Sequence, residues 1–172
     1  MNRKLVLAAA LLAPALALAQ GKPSDPQIAH IVVTANQIDI DAGKLAKSKS
    51  KRKDVQEFAQ RMITDHTAVN KQAGALAKKL GVKPEDNDTS KSLKKGATDN
   101  LANLKKLNDG AFDKAYVDHE VAYHQAVLDA IDKVLIPSAQ NAELKDLIVK
   151  VRPAIATHLE HAKHAQADLA KK

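Results

Sequence analysis

Four long stretches of this chain carry apolar side chains at helical spacing, and each stripe is broken by a residue able to bind metal. Apolar residues at i, i+3, i+4 and i+7 give a helix one face for a core and one for water. The first stripe runs Ile28, Ile31, Val32, Ala35, Ile38, Ala42 and Ala46, with Asp25 placed to cap it and Pro26 as its first helical residue. The second carries Val55, Phe58, Ala59, Met62, Val69, Ala73, Leu76 and Leu80, and stops at Gly81. A loop containing Pro84 then leads to a cap at Ser90 and a weaker, lysine-rich helix over Ser90–Leu107. Asn108-Asp109-Gly110 interrupts it. From Ala111 the third long stripe takes Phe112, Tyr116, Tyr123, Val127, Ala130, Ile131 and Val134, and Pro137 closes it. Ser138 or Asn141 opens the last helix, where Leu144, Ile148, Val151, Ile155, Leu159 and Ala162 share a face and Pro153 should introduce a kink.

Two Phe, two Tyr and no Trp leave the core to Ala, Leu, Val and Ile, which suits close-packed helices and suits a β-sandwich poorly. The expected fold is all-α: a four-helix bundle with an additional short helix in the middle connection.

Residues 1–19 read as a cleaved signal peptide and 20–172 as one domain. Asn2-Arg3-Lys4 forms a basic start, Leu5 to Ala19 an apolar run, and Ala17-Leu18-Ala19 the small-x-small cleavage pattern. That run is shorter than the ~20 residues of a spanning helix, and no second one follows, so no transmembrane segment is expected. The chain has no Cys, which excludes a lipid-anchored lipoprotein and any disulfide framework. No twin-arginine pair occurs, which favours the general secretion route. The expected location is the periplasm.

Loss of Arg3 and Lys4 with the leader lowers the formal charge from +7 to +5. The lysines are scattered along helix faces and are not interleaved with base-stacking aromatics, so nucleic acid is not an expected partner. An envelope protein or an anionic surface of lipid or polysaccharide fits that charge better. The sequence is silent on oligomeric state.

The stripe-breaking residues are Asp39, His66, Glu120 with His124, and His158. Polar side chains on core-facing positions cost free energy unless hydrogen-bonded, paired or coordinated. Placed at ~100° per residue, His66 falls between Ala59 and Ala73, Asp39 beside Ala35 and Ala46, and Glu120 among Tyr116, Val127 and Ile131, with His124 one turn on. His158 falls with Leu147 and Val151. Measured from the turns, Asp39 and His66 differ in height by about 7 Å, while Glu120 and His158 are nearly level. One core site is compatible with those heights. Imidazoles with one or two carboxylates suit a single transition-metal ion (zinc, iron, copper or manganese). The alternative is a hydrogen-bond network in which His66 and His158 bond Asp39, Glu120 or Tyr123 and merely fix helix register in a structural or interaction module. Asp65, at a stripe edge, is placed to orient a neighbour. His119 reads as an interhelical hydrogen-bonding residue, His30 as outward-facing, His161 as peripheral and His164 as solvated. No nucleophile–base pair, phosphate loop or cofactor fingerprint points to an enzyme.

Three stretches carry a family likeness: Val55-Gln56-Glu57-Phe58-Ala59-Gln60-Arg61-Met62 running into Asp65-His66 and Asn70; Phe112-Asp113-Lys114-Ala115-Tyr116 running into His124; and Arg152-Pro153 running into His158-Leu159. In these the chain resembles an exported bacterial family of ferritin-like proteins with no assigned function, over roughly Ile28 to Leu169. The resemblance implies a ferritin-like helical bundle of the periplasm or cell envelope. Di-iron members of that fold class use Glu-x-x-His on two helices. Here Ile63, Val121 and Ile155 stand three residues before His66, His124 and His158, so ferroxidase, oxygenase and iron-storage activities are not implied.

Overall fold

The structure is a computed structural model that describes residues 21–171. The expected leader, residues 1–19, lies outside the described residues. Five helices account for nearly all of the rest: α1 (Asp25–Lys49), α2 (Lys53–Lys79), α3 (Asp88–Lys106), α4 (Asp109–Ala130, prolonged by a π turn at Ile131–Leu135 and a last turn at Ile136–Ser138) and α5 (Ala142–Ala170). There is no strand among the described residues, and no helix there is long and apolar enough to cross a membrane.

Local chemistry sets the helix ends. Ser24, not Asp25, caps α1: its hydroxyl accepts from the Gln27 N–H, and the Gln27 side chain accepts from the Ser24 N–H. The Asp25 carboxylate is drawn instead to the N–H groups of Gln140 and Asn141, at 2.9 and 2.8 Å, and pins the α4–α5 turn to the start of α1. Asn87 caps α3, and Ser90, the expected cap, is its reciprocal partner three residues on. Helix α4 begins at Asp109, two residues earlier than the pattern suggests, with Asp109 at φ 48°. Pro137 does mark the end of α4, but its missing N–H is preceded by a π turn in which the Ile136 N–H reaches back to the Ile131 carbonyl. Asn141 caps α5.

Contacts between ends fix the chain directions. Helix α2 returns along α1, and the chain after it meets the start of α1 where the Glu85 N–H bonds the Pro26 carbonyl. Helix α3 then crosses back, so that Lys49 reaches the Lys105 carbonyl and Lys51 pairs with Asp109 at the far end. Helix α4 therefore runs beside α1 in the opposite sense, and α5 returns antiparallel to α4, packing on α4 and α2. Helix α3 lies outside this set, against α1 and α4.

Small residues let the first pair approach closely. A Cβ on Gly43 would lie 3.0 Å from the Ala59 carbonyl oxygen and 3.1 Å from Ile63 Cγ1. The apolar core falls into two clusters. One holds Ile28, Ile31, Ile38, Tyr123, Leu128, Ile148, Ile155 and Leu159; the other holds Ala42, Ala46, Phe58, Met62, Phe112, Tyr116, Val117 and Ala162. Asp39 stands in sequence between Ile38 of the first and Ala42 of the second, Glu120 between Val117 of the second and Tyr123 of the first, and His158 one turn before Ala162 of the second and beside Leu159 of the first. A polar layer thus divides the core.

Candidate metal centre

That layer takes one residue from each of α1, α2 and α5 and two from α4. Glu120 is 0% exposed, His124 1%, His66 2%, and Asp39 and His158 3% each, so none has bulk water to satisfy it. The three imidazole rings surround one point, with centroids 5.7 Å apart for His66–His124, 5.1 Å for His66–His158 and 5.5 Å for His124–His158. One nitrogen from each of His66, His124 and His158 lies within 4.8 Å of the other two. Asp39, Glu120 and His124 meet the same condition. The five residues that broke the sequence stripes therefore come together in two overlapping triads joined at His124.

Outer partners fix which nitrogen of each ring faces inward. His66 Nδ1 is 2.7 Å from Asn36 Oδ1, and the Asn36 amide is itself oriented by donating to the Val32 carbonyl at 2.8 Å. His124 Nδ1 is 3.0 Å from the Glu120 carbonyl oxygen, one turn back on the same helix. His158 Nε2 is 2.9 Å from Asp65 Oδ2. All three outer atoms are acceptors, so each must receive an N–H from the ring. The remaining nitrogens, His66 Nε2, His124 Nε2 and His158 Nδ1, then carry lone pairs. None of the three has a hydrogen-bond partner, and neither do Asp39 Oδ1 or the two Glu120 carboxyl oxygens. His66 Nε2 does lie 3.4 Å from Asp39 Oδ2, but without hydrogen-bonding geometry. Six buried oxygen and nitrogen atoms of the two triads thus have no hydrogen-bond partner.

Electrostatics agrees with the tautomers. Burial, with the His124 and His158 rings alongside, pushes His66 down to about 2. Burial and the neighbouring His158 bring His124 to about 3. His158 is lowered by burial against the opposing pull of Asp65. The imidazoles are neutral at pH 7. Burial raises both Asp39 and Glu120 well above their ordinary values, and the charge of Asp39 raises Glu120 further, so the pair resists carrying two charges. The Tyr116 hydroxyl, one turn before Glu120, is buried without a partner and is held protonated by burial and by the two carboxylates.

The orienting role expected of Asp65 matches its contact with His158. Asn36 carries no sequence signal of its own, although it lies three residues before Asp39 and so shares its face. The hydrogen-bond pairings expected for an internal network are not the ones formed: His66 bonds Asn36, His158 bonds Asp65, and the Tyr123 hydroxyl donates to the Ala35 carbonyl at 3.2 Å. His119 is corrected too. Its Nε2 has no hydrogen-bond partner, its ring stacks on Tyr123 at 5.6 Å, and burial takes it down to about 4. His30 is not simply outward: it is half-buried, with Nδ1 3.5 Å from Asp86 Oδ1. His161 is half-buried and His164 exposed.

Helices carrying an inward-facing cluster of three imidazoles and two carboxylates define an all-helical protein with a buried polar centre of metal-ligating chemistry. The chain belongs to the family described as "Domain of unknown function (DUF4142)", whose model matches residues 10–165. No curated protein and no solved structure matches it.

Proposed function

We propose that the protein is an exported, periplasmic, ferritin-like four-helix bundle that holds one transition-metal ion among His66, His124, His158, Asp39 and Glu120. The observation that carries this reading is the convergence of ligand atoms: His66, His124 and His158 offer one set within 4.8 Å, Asp39, Glu120 and His124 another, and six of their buried oxygen and nitrogen atoms have no hydrogen-bond partner. Ring nitrogens that carry lone pairs cannot hydrogen-bond one another, whereas a cation can meet several of them at once. Three imidazoles that are already neutral need lose no proton to bind it, and each is oriented by an acceptor behind it, as ligating histidines are. Nitrogen and oxygen donors without thiolate fit zinc, iron, copper or manganese. Such an ion would supply Lewis acidity at the site. Asp39 and Glu120 would balance its charge, and the two apolar clusters would exclude water. The ferritin-like assignment is supported by the chain directions, in which α3 crosses between two antiparallel pairs, and by the likeness carried in three stretches of sequence. Export is supported by the basic start and apolar run of residues 2–19. No reaction is assigned.

The test is metal-dependent thermal stabilisation of untagged mature protein stripped with chelator, together with elemental analysis of protein taken from its native periplasm. Zn, Cu, Fe or Mn should raise the melting temperature of the wild type and leave His66→Ala unmoved. A melting temperature indifferent to all four metals, in protein that carries no metal when isolated, would leave the cluster as a register-fixing layer.

A further inference from the structure

Beside the metal-ligating layer lies a second feature that it does not use. A cavity of about 490 Å³ opens between α1, α3 and α4. Its body is apolar, walled by Ile31, Leu93, Val127, Ala130, Val134 and Leu135. Its floor is Tyr123 with Ala35. Tyr123 is also the wall of the buried layer, since its ring meets His124 edge-on at 6.1 Å and stacks on His119. Tyr123 thus touches both spaces.

Volumes of about 300–1,000 Å³, mostly apolar with a few polar groups, are those of small-molecule sites. The charges at the mouth are already engaged. Asp86 accepts from Ser90 and pairs with Lys94 at 3.3 Å, and Asp88 pairs with Lys91 at 3.7 Å. Gln27, Asn87 and Thr89 are the neutral polar side chains of the lining, and Asn87 is engaged in capping α3. At the floor, the Tyr123 hydroxyl is turned to the Ala35 carbonyl. An ion entering here would lose its hydration without a free opposite charge to meet it. A neutral molecule with an apolar body would lose little.

We propose that this cavity is a binding chamber for an uncharged small molecule with a compact apolar body, seated against Tyr123 with any polar end at the Gln27–Thr89 rim. The chamber is tested in chelator, so its failure and the failure of the metal reading are separate outcomes.

The probe is N-phenyl-1-naphthylamine, an uncharged aromatic whose emission rises in apolar surroundings, titrated into full-length mature protein. Wild type should bind it saturably, one per chain. Val127→Phe and Ala130→Phe, which fill the chamber, should each weaken binding at least tenfold with helical content and melting temperature unchanged. If those variants fail to fold, Tyr123→Phe supplies the second reading: energy transfer from tyrosine to the bound probe should fall, because Tyr116 alone remains as donor. The absence of saturable binding, unweakened affinity in both filled variants, or undiminished transfer in Tyr123→Phe would each overturn the proposal.

Discussion

Replacing Glu120 with Gln should make the protein more stable without metal and less stable with it. Glu120 has no exposed surface, and neither of its carboxyl oxygens has a protein donor. An unsatisfied buried polar group costs about 1–3 kcal/mol. The amide introduced by Glu120→Gln offers an N–H to the Asp39 carboxyl and removes one of two acidic groups from a place where burial and mutual charge already raise both. Any proton that the raised pair holds relieves part of that cost, so the gain is taken at the lower end, about 1 kcal/mol. For a chain of this length that is a rise of about 2–4 °C in chelator. With metal the sign reverses. At 100 times the dissociation constant the wild type gains about 2.7 kcal/mol from the ion. Losing a charged ligand should cost at least the ~10–100-fold in affinity typical of an orienting partner, which at the upper figure leaves the variant about 0.4 kcal/mol. Paired calorimetric scans in EDTA and in excess metal read both numbers. A variant that melts below wild type in EDTA and keeps its full metal shift would show Glu120 to be a satisfied structural group, and the acceptor-excess reasoning would fail.

Asp65→Ala should lower metal affinity about 10–100-fold by freeing the His158 tautomer, while metal-free stability moves by no more than about 0.5 kcal/mol, because the Asp65 side chain is 45% exposed. Equal affinity in isothermal titration would remove Asp65 from the site. In chelator, stability should peak near neutral pH. The raised Asp39 and Glu120 contribute stability that is present below about pH 4 and lost as pH rises through their folded values. The lowered His66, His124 and His119 contribute stability that is present above about pH 6.5 and lost as pH falls through theirs. Below about pH 6 the imidazoles outnumber the carboxyls, so the melting temperature should drop toward acid; a monotonic rise into acid would contradict this. Gly43→Leu should cost about 1–3 kcal/mol by forcing α1 from α2, and metal affinity should fall with it because Asp39 is one turn away. Unchanged chemical denaturation would show that the pair has room to spare.

The helical class is legible in the sequence because a core poor in aromatics and periodic at 3.6 residues leaves few alternatives. Helix ends are less so. Ser24 and Asp25 both look like caps, and what separates them is tertiary: the Gln140 and Asn141 N–H groups claim the Asp25 carboxylate from the far side of the chain. The π turn before Pro137 leaves no mark, since proline announces where the helix stops and not how the preceding turn widens. The inward direction of the five stripe-breaking residues can be read from the helical wheel, which fixes angle. Depth depends on neighbours. Asp86, on the loop before α3, comes to lie over His30 and half-covers a residue that a lone helix would expose. Asn36 escapes a sequence reading because an amide three residues before Asp39 looks like an ordinary polar position; only its contacts with Val32 and His66 give it a role.

A polar layer that existed only to hold register would be expected to satisfy itself, with donors set against acceptors as in any buried network that does not cost its fold stability. This layer is arranged the other way round. Its donors point outward, from ring N–H groups to Asn36, the Glu120 carbonyl and Asp65, and its acceptors point inward. The Tyr116 hydroxyl, one turn before Glu120 and able to donate, is unpartnered. Protons can relieve part of the excess, and burial, which raises both carboxyls, favours it. Asp39 and Glu120 could supply two donors at most, fewer than the three ring lone pairs, however, and burial opposes charging those rings. The same burial that denies the imidazoles a proton keeps them as neutral ligands, so the core that makes the layer costly without an ion is the core that prepares it for one.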